Sequence, residues 1–152
     1  MNITIIDGQG GQIGVQLVKE ITARFPYINL TAIGTNAVAA AAMLKAGAKN
    51  AASGENPVVV ACRKTDVIIG PIGIVIADSL LGEVTEKMAL AVSKANAVRI
   101  LIPMNKCENL VAGVSDLSTK ALISDVISKL NSMIRLSENL NSVCKNKFRT
   151  ED

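Results

Sequence analysis

The chain has 152 residues, of which 49% are hydrophobic, so it is long and apolar enough for one domain with a full core. Its net charge is +3, without a basic stripe or interleaved aromatics, which argues against a nucleic-acid surface. The absence of histidine excludes histidine-based acid–base catalysis, Ser-His and Cys-His nucleophile pairs, and the commonest zinc sites.

Strands and helices alternate through the first half of the chain. Pro26 ends the first helix, and Gly47 ends an Ala-rich second helix. Asn56 is expected to cap the third helix, with Pro57 as its first residue. We therefore expect strands over about 2–6, 28–33 and 49–52 and helices over about 11–24, 37–46 and 57–63.

The second half continues this alternation. Between its elements, 74–81 fits either a short strand or a loop, and 110–114 is a candidate sixth strand. We expect strands over about 67–69 and 98–102, a helix over about 84–95, and a last helix from about 119 to 136 or further. One apolar face of the last helix contains Leu122, Ile123, Val126, Ile127, Leu130, Met133, Ile134 and Leu136.

This order of elements predicts an α/β protein with a three-layer, Rossmann-like doubly wound fold. Short joints between strands and helices favour a mainly parallel sheet of roughly 5–6 strands that is covered on both faces. Right-handed crossovers favour the strand order 3-2-1-4-5. Residues 1–136 are expected to form this single domain, and residues 137–152 a polar, frayed C-terminal tail.

The most informative segment is Asp7-Gly8-Gln9-Gly10-Gly11-Gln12-Ile13-Gly14, which joins strand one to helix one. A strand, a glycine-rich turn and a helix N-terminus together form a common cradle for phosphate. The segment departs from G-x-G-x-x-G, because Gln9 takes the first glycine position. Gly10 and Gly11 permit positive φ, and Gly14 permits close packing of helix one on strand one. The alternative is a tight strand–helix turn without a ligand.

The kind of nucleotide stays open. The end of strand two is Gly34-Thr35-Asn36, which has neither a carboxylate for a ribose nor an arginine for a 2′-phosphate, so NAD(P) is not supported. Thr35 and Asn36 could instead hydrogen-bond a ribose or a phosphate, or simply cap the next helix. Flavin is disfavoured, because no aromatic residue is predicted at the carboxyl ends of the strands.

In a doubly wound sheet, ligands bind outside the carboxyl ends of the strands, so the loops that follow the strands are candidate site segments. The loop Pro103–Cys107 after strand five is one of them, and Glu55 and Asn56 fit capping of helix three equally well. The candidate binding residues are Asp7, Gly8, Gln9, Gly10, Gly11, Gln12, Ile13, Gly14, Gly34, Thr35, Asn36, Gly54, Glu55, Asn56, Gly70, Pro71, Ile72 and Gly73.

No residue is assigned as catalytic or as a metal ligand. Asp7 could position a ribose, a metal or a water, or accept amide hydrogen bonds within the glycine segment. Glu83 and Glu86 are expected to stabilise the start of the fourth helix through its dipole. Cys107, beside Lys106, is the best-placed thiol for a nucleophile.

The remaining cysteines are Cys62, which fits the core, and Cys144, which lies in the tail. Three cysteines without paired spacing are typical of a reducing compartment. The N-terminus begins with a strand rather than a leader, and no apolar run reaches the length of a membrane span. We therefore expect a cytoplasmic protein.

Several motifs together resemble one known family. They are Ile6-Asp7-Gly8-Gln9-Gly10-Gly11-Gln12-Ile13-Gly14, Gly34-Thr35-Asn36-Ala37, Ala42-Met43-Leu44-Lys45-Ala46-Gly47-Ala48, Gly54-Glu55-Asn56 and Gly70-Pro71-Ile72-Gly73-Ile74-Val75. With them the chain resembles the DUF3842 family, small proteins found mainly in bacterial Firmicutes, from its N-terminus to about residue 135. The resemblance implies a Rossmann-like fold and a bacterial cytosolic protein. The family has no established activity, so the resemblance implies no catalytic residue.

We expect a protein that binds a nucleotide or another phosphate-bearing metabolite at the glycine segment, without evident catalytic machinery. The alternative is a non-enzymatic dimerising or partner-interaction module on a degenerate Rossmann fold, with the Ala-rich helix or the last helix as its contact surface. A weak enzyme that uses Asp7 or Cys107 is the third hypothesis. No nucleic-acid or membrane partner is expected, and a homodimer fits the alternative.

Overall fold

The computed structural model describes residues 1–104, 109, 111–114 and 117–147, with side chains through residue 138. The strands are β1 (Asn2–Asp7), β2 (Asn29–Gly34), β3 (Asn50–Ser53), β4 (Val67–Pro71) and β5 (Val98–Ile102). The helices are α1 (Gln12–Arg24), α2 (Ala37–Lys45), α3 (Glu55–Ala61), α4 (Ser79–Gly82), α5 (Glu86–Lys94) and α6 (Thr119–Lys147). A 3₁₀ turn, Ile72–Val75, follows β4.

The five strands form one parallel sheet in the order β3-β2-β1-β4-β5, which confirms the predicted fold class and strand order. In the register of β1 and β2, Asp7 lies opposite Gly34, so the glycine segment and the end of β2 leave the sheet side by side. The chain winds outward from β1 on one side through β2 and β3, then returns to β4 on the other side. The boundary between β1 and β4 is therefore the topological switch point, where ligands of such sheets bind.

Helices cover both faces of the sheet. Neighbouring strand residues point to opposite faces, so Ile5 packs with Leu17 of α1 and Leu130 of α6 in one cluster, and Ile6 packs with Val58 of α3 in another. All of these side chains are buried. This two-sided burial explains why the strands are continuous apolar runs rather than alternating ones.

The third helix begins earlier than the sequence indicates. Gly54, with φ of 99°, precedes it, Glu55 begins it, and Pro57 lies in its first turn. The predicted roles of Asn56 as cap and Pro57 as first residue are therefore wrong. Because no amide of the first helical turn has a partner within the helix, a proline is accommodated at several positions there.

The prediction of a sixth strand over 110–114 is wrong for the residues that the structure describes. Val111–Val114 form a turn, closed by a hydrogen bond from the Val114 amide to the Val111 carbonyl, with Gly113 at φ of 80°. Leu110 lies outside the described residues. The segment after β4 forms the 3₁₀ turn and α4 rather than a strand.

The last helix differs from its prediction in the extent of its buried face. Its buried face ends at Ile134, and Leu136 is 63% exposed, because residues two positions apart do not share a helix face. The helical backbone continues to Lys147, through much of the segment expected to be a frayed tail. Residues 148–152 lie outside the described part.

Candidate functional site

Asp7 organises the glycine segment from the last position of β1. Its side chain is only 5% exposed. Oδ1 accepts a hydrogen bond from the Gly8 amide at 2.8 Å, and Oδ2 accepts one from the Gly14 amide at 2.7 Å. Burial raises the pKa of the Asp7 carboxyl, and the amide hydrogen bonds only partly oppose that effect. Both oxygens are thus engaged within the segment, which is the second of the two roles expected for Asp7.

Gly11 and Gly14 lie where α2 approaches the glycine segment too closely for a side chain. Gly11 has φ of 68°, and a Cβ on it would lie 2.9 Å from the Ala39 Cα of α2. A Cβ on Gly14 would overlap the sulfur of Met43, also on α2. The main close approach at Gly14 is thus to α2, with the Cβ of Asp7 on β1 next to it.

The positive φ in the segment belongs to Gln9, at 50°, and to Gly11. Gly10 does not have a positive φ, contrary to its predicted role, and a Cβ on Gly10 would meet only the Gln12 side chain, no closer than 3.9 Å. The glycine at 10 is therefore not explained by a positive φ or by packing against the residues that the structure describes. It leaves space on the outer side of the segment, where a ligand would approach.

A cavity of about 200 Å³ lies against the glycine segment at the switch point. Its other walls are the end of β4, α4, the chain after β5 and the first residue of α6, which contribute Pro71, Leu80, Met104 and Thr119. The segment itself contributes Asp7, Gly8, Gln9, Gly10, Gly11, Gln12 and Ile13, and α1 adds Gln16. The cavity is thus lined by parts of the chain that are far apart in sequence.

Within the described part of the chain, two amides of the glycine segment that lie in this cavity wall are unpaired. In the described part of the chain, the amides of Gly8 and Gly14 donate to Asp7, that of Gln9 donates to Glu83, and that of Gly11 donates to a carbonyl. The amides of Gly10 and Gln12 have no partner among these residues. Gln12 begins α1, so its amide also carries the partial positive charge of a helix N-terminus.

A second polar cluster lies on the β2 side of the glycine segment. The Oε2 atom of Glu83 accepts hydrogen bonds from the Gln9 amide at 2.8 Å, the Thr35 hydroxyl at 2.6 Å and the Asn36 side-chain amide at 2.8 Å. Asn36 also caps α2, through the Ala39 amide, and donates to the Gln9 carbonyl. Asn36 therefore caps α2, one of the two roles left open for it, whereas the Thr35 hydroxyl donates to Glu83.

Glu83 carries a negative charge at neutral pH. Desolvation is the largest single influence and raises the pKa of its carboxyl, but the hydrogen bonds from Thr35, Gln9 and Asn36 together outweigh it, so the pKa lies below its usual value. The expected role of Glu83, helix-dipole stabilisation, is not its main one. The structure places Glu86, the other acid considered with it, in the exposed first turn of α5.

The other candidate segments do not reach the cavity as a group. Glu55 accepts hydrogen bonds from the Thr85 hydroxyl and from Lys87, so Gly54–Asn56 join α3 to the start of α5. Of Gly70–Gly73, Pro71 lines the cavity, and the Gly73 carbonyl accepts the Ser79 hydroxyl at the base of α4. A Cβ on Gly70 would overlap the Ile6 carbonyl, so Gly70 serves the packing of β4 on β1.

The cysteines contribute nothing to this site in the described part of the chain. Cys62 is a free, buried thiol at the end of α3, and burial raises its pKa. Cys107 and Lys106 lie outside the described residues, as does the side chain of Cys144. Within the described part, no group of three or more His, Cys, Asp or Glu side chains could hold a metal ion.

Glu83, Leu80, Gln16 and Thr119 are the site residues that the sequence did not identify, whereas Met104 lies in the candidate loop Pro103–Cys107. The sequence places Glu83 next to a glycine in the segment after β4, which is a weak indication of a site residue. Its partners Gln9, Thr35 and Asn36 are far away in the sequence, so no local pattern indicates them. Larger grooves, of about 610 Å³ between α1 and α6 and about 730 Å³ beside β5, do not include the glycine segment.

None of the described helices combines the length and apolarity needed to cross a membrane. The chain matches no curated protein and no solved structure. A domain of unknown function, DUF3842, matches residues 2–135. Since that match spans most of the 152 residues, and the predicted motifs lie within it, the chain belongs to the DUF3842 family.

Proposed function

We propose that this protein binds a small phosphate-bearing molecule, a nucleotide in the first place, at the glycine segment. The observation that carries the proposal is the cavity at the switch point, whose wall contains the unpaired amides of Gly10 and Gln12. Such amides at the N-terminus of a helix are suited to phosphate oxygens, and the helix dipole adds roughly 0.3–1 kcal/mol.

The size of the cavity supports a limited mode of binding. About 200 Å³ is below the roughly 300–1,000 Å³ of ordinary ligand sites, so it accommodates a phosphate and its nearest atoms rather than a whole nucleotide. The rest of the ligand would extend outward past Leu80 or Gln9, which line the cavity and are not fully buried. No nucleophile or acid–base pair is assigned, and binding without turnover in the cytosol is the function we propose.

Titration calorimetry and thermal-shift measurements with nucleoside phosphates and sugar phosphates test this proposal. Gly10→Val is the informative variant, because Gly10 is not left-handed and a Cβ there meets no described atom closer than 3.9 Å. It should fold normally and weaken binding at least tenfold by filling the cavity wall. Ala41→Val, on the exposed side of α2, is the matched control and should bind like the unaltered protein. Absence of binding across the series, or an unchanged affinity in Gly10→Val, contradicts the proposal.

The interaction module is the second candidate function, and one observation favours it. The outer side of α2 exposes Val38 and Leu44, at 67% and 54%, while Ala39 and Ala40 face the chain's own glycines. We propose this outer side as the contact surface of a homodimer. Light scattering should then show a dimer that Val38→Glu with Leu44→Glu converts to a monomer, whereas a monomer before substitution contradicts it.

A further inference from the structure

We propose that Glu83 recognises the hydroxyl groups of a ribose, so that the ligand of the glycine segment is a ribonucleotide with an unmodified sugar. This inference rests on the proposed function and narrows its ligand class. The position of Glu83 is the first observation. The end of β2 has no acid of its own, but Glu83 places a carboxylate against Thr35 and Asn36, directly after that strand.

The carboxylate is held in one orientation. All three donors, Gln9, Thr35 and Asn36, bind the same oxygen, Oε2. None of the described residues donates to the other oxygen, Oε1. A fixed carboxylate with one unused oxygen is a ready acceptor for neighbouring hydroxyl groups, because no reorganisation is needed when the ligand arrives.

The negative charge of Glu83 favours a ribose whose 2′- and 3′-hydroxyl groups carry no phosphate. The three donors are uncharged, and in the described part of the chain Glu83 takes part in no salt bridge. The negative charge therefore remains available to hydroxyl donors. A phosphate on the 2′-oxygen would bring a like charge to the same place, with no cation among the contacts of Glu83 to offset it.

The carboxylate and the cavity adjoin each other at Gly8. A Cβ on Gly8 would lie 2.6 Å from the Thr35 hydroxyl and 2.8 Å from both Glu83 Oε2 and Leu80 Cδ1. Glu83 does not itself line the cavity, but Gly8 and Leu80 do, and the Glu83 carboxylate occupies the place that a side chain at position 8 would need. A phosphate on the Gly10 and Gln12 amides would thus have its sugar near Glu83, in the layout usual for nucleotides on such sheets.

The test compares ribose with deoxyribose on the unaltered protein by titration calorimetry. The pairs are ADP with 2′-deoxy-ADP, GDP with 2′-deoxy-GDP, and ribose 5-phosphate with 2-deoxyribose 5-phosphate, the last of which removes the influence of the base. In every pair that binds, the deoxy compound should bind at least fivefold more weakly. A smaller difference overturns the inference while leaving phosphate binding intact, whereas absence of binding in all pairs removes the proposed function as well.

Glu83→Gln supplies the second measurement, since it keeps the size of the side chain and removes its charge. The variant should bind the ribose compounds at least fivefold more weakly than the unaltered protein does, and it should bind the deoxy compounds with unchanged affinity. Glu86→Gln, the same change at an exposed position of α5, should keep the full preference. If Glu83→Gln instead tightens binding of both members of a pair, Glu83 only occupies donors that the ligand needs, and the inference is wrong. Should the variant not fold, the comparison on the unaltered protein decides alone.

Discussion

The Glu83 carboxylate and the Thr35 hydroxyl are 2.6 Å apart, although 48 positions separate them in the chain. The same carboxylate oxygen accepts the Gln9 amide, so one side chain joins the loop after β4 to the end of β2 and to the glycine segment. The geometry of the candidate site therefore depends on Glu83, a residue that belongs to neither β1 nor β2.

We expect Glu83→Ala to lower the free energy of unfolding by about 1 kcal/mol, because three donors lose their acceptor but water can partly replace it at this half-buried position. Urea denaturation measures the change. Glu86→Ala removes the same charge and side chain from an exposed helix position, and we expect it to change stability by less than about 0.5 kcal/mol. Equal losses in the two variants would show that the Glu83 contacts do not stabilise the fold.

The acid dependence of stability should differ between the unaltered protein and Glu83→Gln. The pKa of Glu83 lies below its usual value of 4.5, so an unfolded chain takes up this proton before the folded one does. The contribution of the Glu83 charge to the free energy of unfolding is complete above pH 4.5. It is lost as the pH falls through the pKa that Glu83 has in the folded protein. Denaturation at a series of pH values should therefore show the two proteins converging under acid conditions. Parallel curves down to the lowest pH at which both fold would contradict it.

The fold could be predicted from the sequence because its signals are local. Ile5 and Ile6 lie in one apolar run, and Pro26 and Gly47 stop helices where the structure has them end. The Glu83 contact could not be predicted, because it depends on the path of the chain from Asp78 to Gly82. There Leu80 and Leu81 adopt φ of 55° and 61°, a conformation that leucine seldom takes and that no propensity indicates.

Asp7→Asn should destabilise the protein by about 1–2 kcal/mol at neutral pH. The asparagine amide can accept from only one of the Gly8 and Gly14 amides, so the other becomes a buried donor without an acceptor. Loss of the buried charge offsets part of this cost, since desolvation raises the pKa of Asp7. Hydrogen exchange should locate the effect, with faster exchange of the Gly8 and Gly14 amides than of the central β4 amides. Uniformly faster exchange would indicate global destabilisation without a specific role for Asp7.

Gly14→Ala should destabilise the protein by about 1–2 kcal/mol, even though alanine is the better helix former by roughly 1 kcal/mol. The new methyl group would overlap the sulfur of Met43, whose side chain is fully buried, so any shift of it disturbs the packing of the core. Gly10→Ala is the matched control, because its methyl group meets nothing closer than 3.9 Å and its backbone is not left-handed, so we expect no loss of stability. A double-mutant cycle tests the cause directly: in a Met43→Ala background, Gly14→Ala should be neutral or stabilising. A penalty of the same size in both backgrounds would show that the close approach of α1 and α2 at Gly14 is not what requires glycine there.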